Sequence, residues 1–578
     1  MDKKVKHLIK KTVIIVASVV LVLVVVNMWF ANRAERYIRT HLTEAVEEVT
    51  GGLYNLELGK LKIDILQGYL SAKDIRLNIN TERYKQLEQL DSLPDYTGII
   101  KIKSLRLTGV NFKYSHKLGR KLGFRRLIIE EPEVIALSYP KKETEEKPKN
   151  ILKKNPRIKP HTLYDFIAPY FDEFFISHIS LIGGNAFLLR DEGRTIKARG
   201  SLTGLGVEAN DFKINSNRTL NNSILFSENI IIRFDSLLFH SVDGFYDYFA
   251  GATAIDIARG EVTVNDPGFT SPLPKWEFAH VHPTHADWFD LKIGQMILKG
   301  LNMRKLVDDQ VVLADTLLTH SILLQNFKNG QIPIEHNYMP MVYTSRQELP
   351  IHFFVDYVNV SNMEVIYEEL ATGEADPGRV TLTNMEGVFL DYTNIVSHPN
   401  QTTTLYASAK LMGEGELETI ITLPVDPAYD RATLKANLGV MNMISLNPII
   451  ETMGPAKLDG GFIQGLDLYI DGGGKEANVE MTLLYNDLSV QVLQNLNNGH
   501  KANRGILSLL ANGVIEKNNP QPGQEVRTVH ALHIRDPLHS SFNYLWKIIL
   551  SGLVKVLGYT DERQERVEWA IEELGVKN

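Results

Sequence analysis

No cysteine occurs among the 578 residues. That single absence excludes a disulfide framework, a cysteine zinc site and a thiol nucleophile. The chain must therefore hold together through sheet and core. With 44% hydrophobic residues over this length, it has the apolar surface to do so. An excess of basic charge is missing too: 62 Lys and Arg face 69 Asp and Glu, a net charge of −7. Nucleic-acid binders usually carry a basic patch or a high pI, so no nucleic-acid partner is expected. Catalytic signatures are absent as well. There is no G-x-S-x-G elbow and no H-E-x-x-H. Gly472-Gly473-Gly474-Lys475 lacks the first glycine spacing, the Ser/Thr after lysine and the following helix of a phosphate-binding loop, and reads as a tight turn. No enzyme activity and no cofactor are expected.

Charge is also absent from Thr12 to Ala31, TVIIVASVVLVLVVVNMWFA. A bilayer core about 30 Å thick needs roughly 20 apolar residues in a helix. Asn27 is the one strongly polar side chain inside, and Trp29 sits near one end, where aromatic belts lie. A cleaved signal peptide has an apolar core of roughly 7–15 residues and a small-x-small exit; here Trp29 and Phe30 occupy the exit. We expect an uncleaved transmembrane helix over 12–31 behind a cytoplasmic tail, 1–11. Lys3, Lys4, Lys6, Lys10 and Lys11, opposed only by Asp2, put the N-terminus in the cytoplasm and the bulk across the membrane.

Past the apolar run the period changes. Ile38, Leu42, Ala45, Val46 and Val49 fall on one helical face, and Thr50-Gly51-Gly52 ends that helix. Beyond it the period is 2: Leu61-Lys62-Ile63-Asp64-Ile65, Ile75-Arg76-Leu77-Asn78-Ile79, then Ile100, Ile102, Leu105 and Leu107 with one slip at Ser104, which reads as a bulge. The habit recurs at Phe353–Tyr357, Leu405–Leu411, Leu434–Val440 and Leu488–Val492. Turn signals such as Thr108-Gly109, Asp376-Pro377-Gly378 and Asp471-Gly472-Gly473 separate these runs. Many short strands with one apolar face predict antiparallel sheet. Helices are expected at Tyr84–Leu93 and at Leu163–Phe175, the latter kinked by Pro169.

Residues 141–160 hold eight Lys and Arg, three Glu and three Pro. They read as a basic linker, either solvated or touching anionic lipid headgroups. From Pro537 to Gly558, Leu538, Phe542, Leu545, Trp546, Ile549, Leu550, Leu553, Val556 and Leu557 follow i, i+3, i+4, i+7 spacing. We expect 521–578 to be an amphipathic helical segment that caps the sheet or lies on a membrane. His280, His282, His285 and Asp287 form the one dense ligand cluster. On a strand, His280 and His282 would point the same way and chelate together. Pro283 breaks such a strand, so a histidine loop without metal is the expectation.

Three stretches carry a family resemblance: LTEAVEEVTGGLYNLELGKLKIDILQGYLSAKDIRLNIN at Leu42–Asn80, IKIKSLRLTGVNFKYSHKLGRKLGFRRLIIEEPEVIAL at Ile100–Leu137 with Pro132 in its expected place, and LDGGFIQGLDLYIDGGGKEANVEMTLLYNDLSVQVL at Leu458–Leu493. In this order, behind one membrane span, they resemble the AsmA-like family of envelope proteins, in its domain-of-unknown-function branch. The resemblance implies a mostly β fold: a long bent antiparallel β-sheet groove with few helices and a helical C-terminus. It implies a bacterial inner-membrane, single-pass protein with its bulk in the periplasm, which handles phospholipid or another acyl lipid. Transport toward the outer membrane, or upkeep of that membrane, is the implied role, with the outer membrane or an envelope protein as a further partner. The alternative is an envelope scaffold that binds a protein and no lipid.

On this reading the organisation is an N-terminal AsmA-like unit at 32–140, the linker, and an elongated β-rich groove region at 161–520. About 25 strands at roughly 4.8 Å would span on the order of 120 Å. Expected groove-lining residues are Ile63, Ile65, Ile75, Leu77, Leu105 and Leu107 near the entry, and Leu434, Leu438, Leu488 and Val490 further along. Expected membrane contacts are Trp29, Phe542, Trp546, Ile549 and Leu553. The alternating pattern by itself fits an open groove and a closed sandwich equally.

Overall fold

The computed structural model describes residues 31–64, 68–90, 92–94, 96–115, 119–138, 171–191, 195–215, 226–227, 229–282, 286–332, 338–426, 428–453, 456–495, 501–503 and 515–558. The protein is mostly β and built on a large sheet. Its contacts divide it into two compact units. The first takes the chain to Gly244 plus Tyr248–Val264, and the second takes Phe245–Asp247 and everything from Asn265. The division falls inside the region expected to be one groove, 161–520. The expected linker at 141–160 and the expected span at 12–31, save Ala31, lie outside the described residues. Among the described residues no helix is long and apolar enough to cross a membrane.

The first unit opens with helix α1 (Ala31–Thr50). Gly51 and Gly52, at φ 62° and 79°, close it, with Gly52 N donating to Glu47 O at 2.8 Å and Gly51 N to Glu48 O at 3.3 Å. That left-handed cap is what glycine permits at lowest cost. Leu42 and Val46 are buried in the first core; Val49, expected on the same face, is exposed in the helix's final turn. The strands of this part are β1 (Tyr54–Leu58), β2 (Leu61–Asp64), β3 (Tyr69–Ile79), β4 (Tyr96–Ser115), β5 (Gly119–Ser138), β6 (Glu173–Asp191), β7 (Ile196–Asn215), β8 (Asn229–Phe234), β9 (Ser236–His240), β10 (Asp247–Ala250), β11 (Thr253–Asp256) and β12 (Glu261–Asn265). Strands β1 to β9, β11 and β12 pair antiparallel with one another, except that β5 and β6 run parallel. Helix α2 (Thr81–Gln89) overlaps the expected Tyr84–Leu93 but starts and ends earlier, because Asn80 caps it. The expected helix at 163–175 is strand at its described end, since Glu173–Phe175 pair with Lys121–Gly123.

In the second unit the strands are β13 (Gly268–Thr270), β14 (Trp288–Lys299), β15 (Val311–Asn329), β16 (His352–Leu370), β17 (Gly378–Thr393), β18 (Thr402–Leu411), β19 (Gly415–Pro424), β20 (Ala432–Leu438), β21 (Met441–Asn442), β22 (Ala456–Gly472), β23 (Glu476–Asn495), β24 (Lys501–Asn503) and β25 (Thr528–Ile534). Its helices are α3 (Lys275–Val281), α4 (Met303–Asp308), α5 (Val342–Ser345), α6 (Asn447–Met453) and α7 (Ser541–Val556). Helix α6 packs on both β17 and β22, strands separated in the pairing order by β18, β19 and β20. The sheet of this unit therefore curves around it. The segment 521–578, expected to be helical, contains strand β25: His530, Leu532 and Ile534 alternate with Ala531 and His533, a period of 2 that precedes the helical run. Helix α7 starts at Ser541 behind the Ser540 cap, not at Pro537.

Several strands reach 20 residues, and they are kinked. Asp74 (φ 52°), Glu131 (φ 46°), Gly183 (φ 68°) and Gly204 (φ 69°) adopt left-handed backbone inside β3, β5, β6 and β7. Each ladder is interrupted at these positions: Asp74 and Lys103 fall between the pairs Lys73–Ser104 and Ile75–Ile102, Lys103 and Glu131 between Ile102–Pro132 and Ser104–Glu130, and Glu131 and Gly183 between Glu130–Ile182 and Glu133–Asn185. The kinks thus form one line across the sheet, and Lys103 pairs with Glu131 there. This is the physical origin of the Ser104 slip: crossing the line, the buried side of β4 passes from Ile100 and Ile102 to Leu105 and Leu107. The second unit repeats the device at Ser321 (φ 58°) and Asn362 (φ 51°), where Asn362 Nδ2 donates to Ser321 Oγ at 3.3 Å.

Candidate functional site

Pairing register turns the alternating runs into rows that cross the strands. In the first unit one row reads Leu61–Ala72–Leu105–Ile129–Leu181–Val207–Ile232–Ile255–Val262. A neighbouring row reads Ile63–Leu70–Leu107–Leu127–Ile179–Ala209–Ile230. In the second unit Leu298–Leu317–Val358–Phe389–Leu405–Ile421–Leu434–Ile470–Val479–Ala531 are paired in succession. No member of any row is polar. At a strand spacing of roughly 4.8 Å, the second-unit row is about 43 Å long. The opposite face is polar where the row passes β20 to β25: Lys435, Tyr469, Glu480 and His530 are successive partners, with the Lys435 ammonium 5.8 Å from the Tyr469 ring centroid.

Exposure along the rows is uneven. Ala72 and Leu105 are buried in the core that α1 joins, and Arg39 of that helix donates to the carbonyls of Leu58 and Gly59. From Ile129 to Val262 the row is half-buried. In the second unit Phe389, Leu405, Ile421 and Leu434 are half-buried, whereas Ile470, Val479 and Ala531 are buried beneath α7.

At that transition lies a cavity of about 370 Å³, within the size range of small-molecule sites. Ile421, Leu423, Leu434, Ile470 and Ala477 form its floor. Met341, Val342 and Tyr343 at α5 form one wall, and Phe542, Leu545 and Ile548 of α7 form the roof. The Tyr343 hydroxyl donates to Asp430, and burial together with that bond pushes its pKa far above the ordinary value. The Tyr544 hydroxyl donates to Gly473 O at 3.2 Å, and burial pushes its pKa up to about 12. Both stay neutral phenols at any physiological pH. A larger depression of about 460 Å³ spans β16 to β20, but its lining is mixed, with Glu386, Glu418, Lys435 and Asn437 beside Val388, Tyr406 and Ile420.

The sequence-derived candidates fall as follows. Ile75, Leu77, Leu105 and Leu107 are buried in the first core, with Ile63 half-buried against it. Leu438, Leu488 and Val490 are buried in the second core, and Leu434 lies at the cavity floor. Phe542 is half-exposed at the cavity rim, and Trp546, Ile549 and Leu553 are half-buried on α7. The structure thus brings together Leu434 and Phe542, which sequence reasoning placed at different tasks. Ile65 and Trp29 lie outside the described residues. Sequence reasoning missed the wall Met341–Tyr343, which has no period to reveal it.

The histidine cluster is not a chelating strand. His280 sits on α3, and His282 stacks on Phe278 and Phe245 with centroids 5.4 and 4.3 Å away. His285 is outside the described residues. Among the described residues no group of three or more His, Asp or Glu is placed to hold a metal. Gly474 N donates to Asp430 at 2.9 Å in the β22–β23 turn.

No family model matches the chain, and no curated protein matches it in sequence. Each unit offers a hydrocarbon-compatible surface, open over part of its length, covered by a helix over another part, and free of charge along its rows.

Proposed function

We propose that the chain is a membrane-anchored envelope protein that carries phospholipid along the apolar rows, which act as the floor of a β-groove, toward the outer membrane. The observation that carries this reading is the unbroken apolar row from Leu298 to Ala531. A closed core needs apolar residues but not a row of them in register across so many strands with Phe389, Leu405, Ile421 and Leu434 in succession left only half-buried. An acyl chain lying there would gain roughly 0.8 kcal/mol for each buried CH₂, with headgroups left in water and no energy source in the groove itself. The likeness of three stretches to AsmA-like proteins and the apolar run at 12–31 support the anchor and the periplasmic placement.

The test is a photo-crosslinking residue at Leu434 in cells, followed by lipid mass analysis. Covalent phospholipid is expected, and Leu434→Asp placed beside a crosslinker at Leu405 should lower lipid capture there. Capture of protein alone would instead favour the scaffold reading, for which the specific observation is β25. That strand pairs with β23, and among the described residues nothing pairs with its other edge, while Leu532 and Ile534 on it are exposed. Such an edge suits β-strand addition by a partner.

A further inference from the structure

The second-unit row does not run out into solvent; it stops under a roof. Leu405, Ile421 and Leu434 are half-buried, yet the next three members are at most 8% exposed. Helix α7 lies on them with Tyr544, Ile548, Gly552 and Val556 turned inward. Gly552 suits this close seating: a Cβ there would stand 3.1 Å from Met481 Cε. Both ends of the helix are tied down. At the start, Val342 N donates to Ser541 Oγ at 3.0 Å, and Met339 N donates to Pro537 O at 2.9 Å. At the end, Arg527 donates to Val556 O at 2.8 Å, and Lys555 Nζ donates to His530 O at 3.2 Å. The cavity of about 370 Å³ is lined by Ile421 and Leu434 of the half-buried part of the row together with buried Ile470.

Thr433 also lines this cavity, and the other polar side chains around it are committed to one another or to backbone. Tyr343 donates to Asp430, which also accepts from Gly474 N; Tyr544 donates to Gly473 O; Ser541 Oγ accepts from Val342 N. Arg535, whose guanidinium lies 5.8 Å from the Tyr544 ring centroid, does not line the cavity, and its Nη atoms donate to the carbonyls of Met339, His539 and Gly474. No Lys, Arg or His lines the cavity, so a phosphate entering here would be desolvated without a cation to pair with, which is strongly disfavoured. A hydrocarbon end would displace nothing that is hydrogen-bonded. We propose that the cavity under α7 is the blind end of the track and seats the methyl end of one phospholipid acyl chain, which arrives along Leu405, Ile421 and Leu434 while its headgroup stays outside. This rests on the lipid-carrier reading above.

The test uses the full-length protein and vesicles of phosphatidylcholine carrying a diazirine on one acyl chain, either near its methyl end or near its carbonyl. Labelled peptides are then mapped. The methyl-end probe should label the peptides of α7 and Met341–Tyr343 about tenfold more than the carbonyl-end probe, as expected for a site that admits one orientation. Ala432→Trp, which fills the cavity from its floor, should abolish that labelling while leaving capture at Phe389 and Leu405 unchanged; the unchanged capture also reports that the sheet is folded. Equal labelling of the roof by both probes would overturn the seat and leave the carrier reading standing. Labelling of the roof by a diazirine fatty acid but not by the phospholipid would also overturn it, assigning the cavity to free acids. Labelling nowhere along the row, by any probe, would sink the carrier reading and the seat with it.

Discussion

Asp287 shows how far burial can move a single group. It sits at the end of the loop before β14, facing Asn326, Lys328 and Glu369, and desolvation raises its pKa to about 6, partly offset by Lys328. Lys328 and Glu369 are themselves paired at 3.0 Å, and the Tyr367 hydroxyl donates to Glu369 at 2.5 Å. The folded state holds the Asp287 proton more tightly than the unfolded chain does. Its contribution to stability is therefore greatest below about pH 4 and is lost as pH rises through 6. Asp287→Asn should raise unfolding free energy at pH 7.5 by on the order of 2 kcal/mol, a figure reduced for partial exposure, with no gain at pH 4. Urea unfolding at the two pH values checks it; an equal effect at both would mean that the carboxylate's charge is not the cause. In the sequence Asp287 was visible only as a fourth member of a histidine cluster. Its neighbours come from β15 and β16, more than 35 residues away, and no local pattern brings them near.

Strands announce themselves by alternation, and the slip at Ser104 announced a kink. What alternation does not carry is that the kinks align. That depends on register between strands, which is fixed by hairpins and by the parallel β5–β6 and β15–β16 pairs. The line of kinks makes a specific demand on backbone. Gly183 has φ 68° and ordinary space around it: a Cβ added there would meet Glu131 Cγ at 3.6 Å. Gly183→Ala should then cost about 1–2 kcal/mol through backbone strain alone. Gly206, on the neighbouring strand β7, lacks the left-handed angle, and a Cβ there would meet Leu181 O at 3.7 Å. Gly206→Ala should be neutral or stabilise by roughly 0.5 kcal/mol. Urea midpoints of the two variants settle the comparison, and equal costs would remove the kink as a structural requirement. The same limit hid the wall of the cavity: α5 has four residues, too few to show any period.

Two cores serve the molecule, one gathered around α1 and β3–β5, the other around α7 and β20–β23. Calorimetry of the intact chain should resolve two transitions. Leu107→Ala, at a fully buried site of the first core, should lower one of them at a cost of about 2–5 kcal/mol and leave the other in place. A single transition that shifts as a whole would mean that the two cores melt together. Neither the boundary nor its three crossings between Gly244 and Asn265 was legible. Of the strands flanking it, β12 alternates like those elsewhere while β9 and β10 carry short apolar runs, and no proline-rich or charged run marks the change of unit.

Because the apolar rows run across the strands, chain length and row length are separate quantities. Lengthening a strand widens the sheet and leaves the row as it was. Copying one hairpin adds two steps, about 10 Å at the usual strand spacing. It disturbs a single existing strand pairing, since the copied strands bring their own apolar residues already in register. The row is in this sense a ruler graduated in hairpins. A lineage or an engineer can set its reach in increments of that size, without redesigning the helix that covers its end.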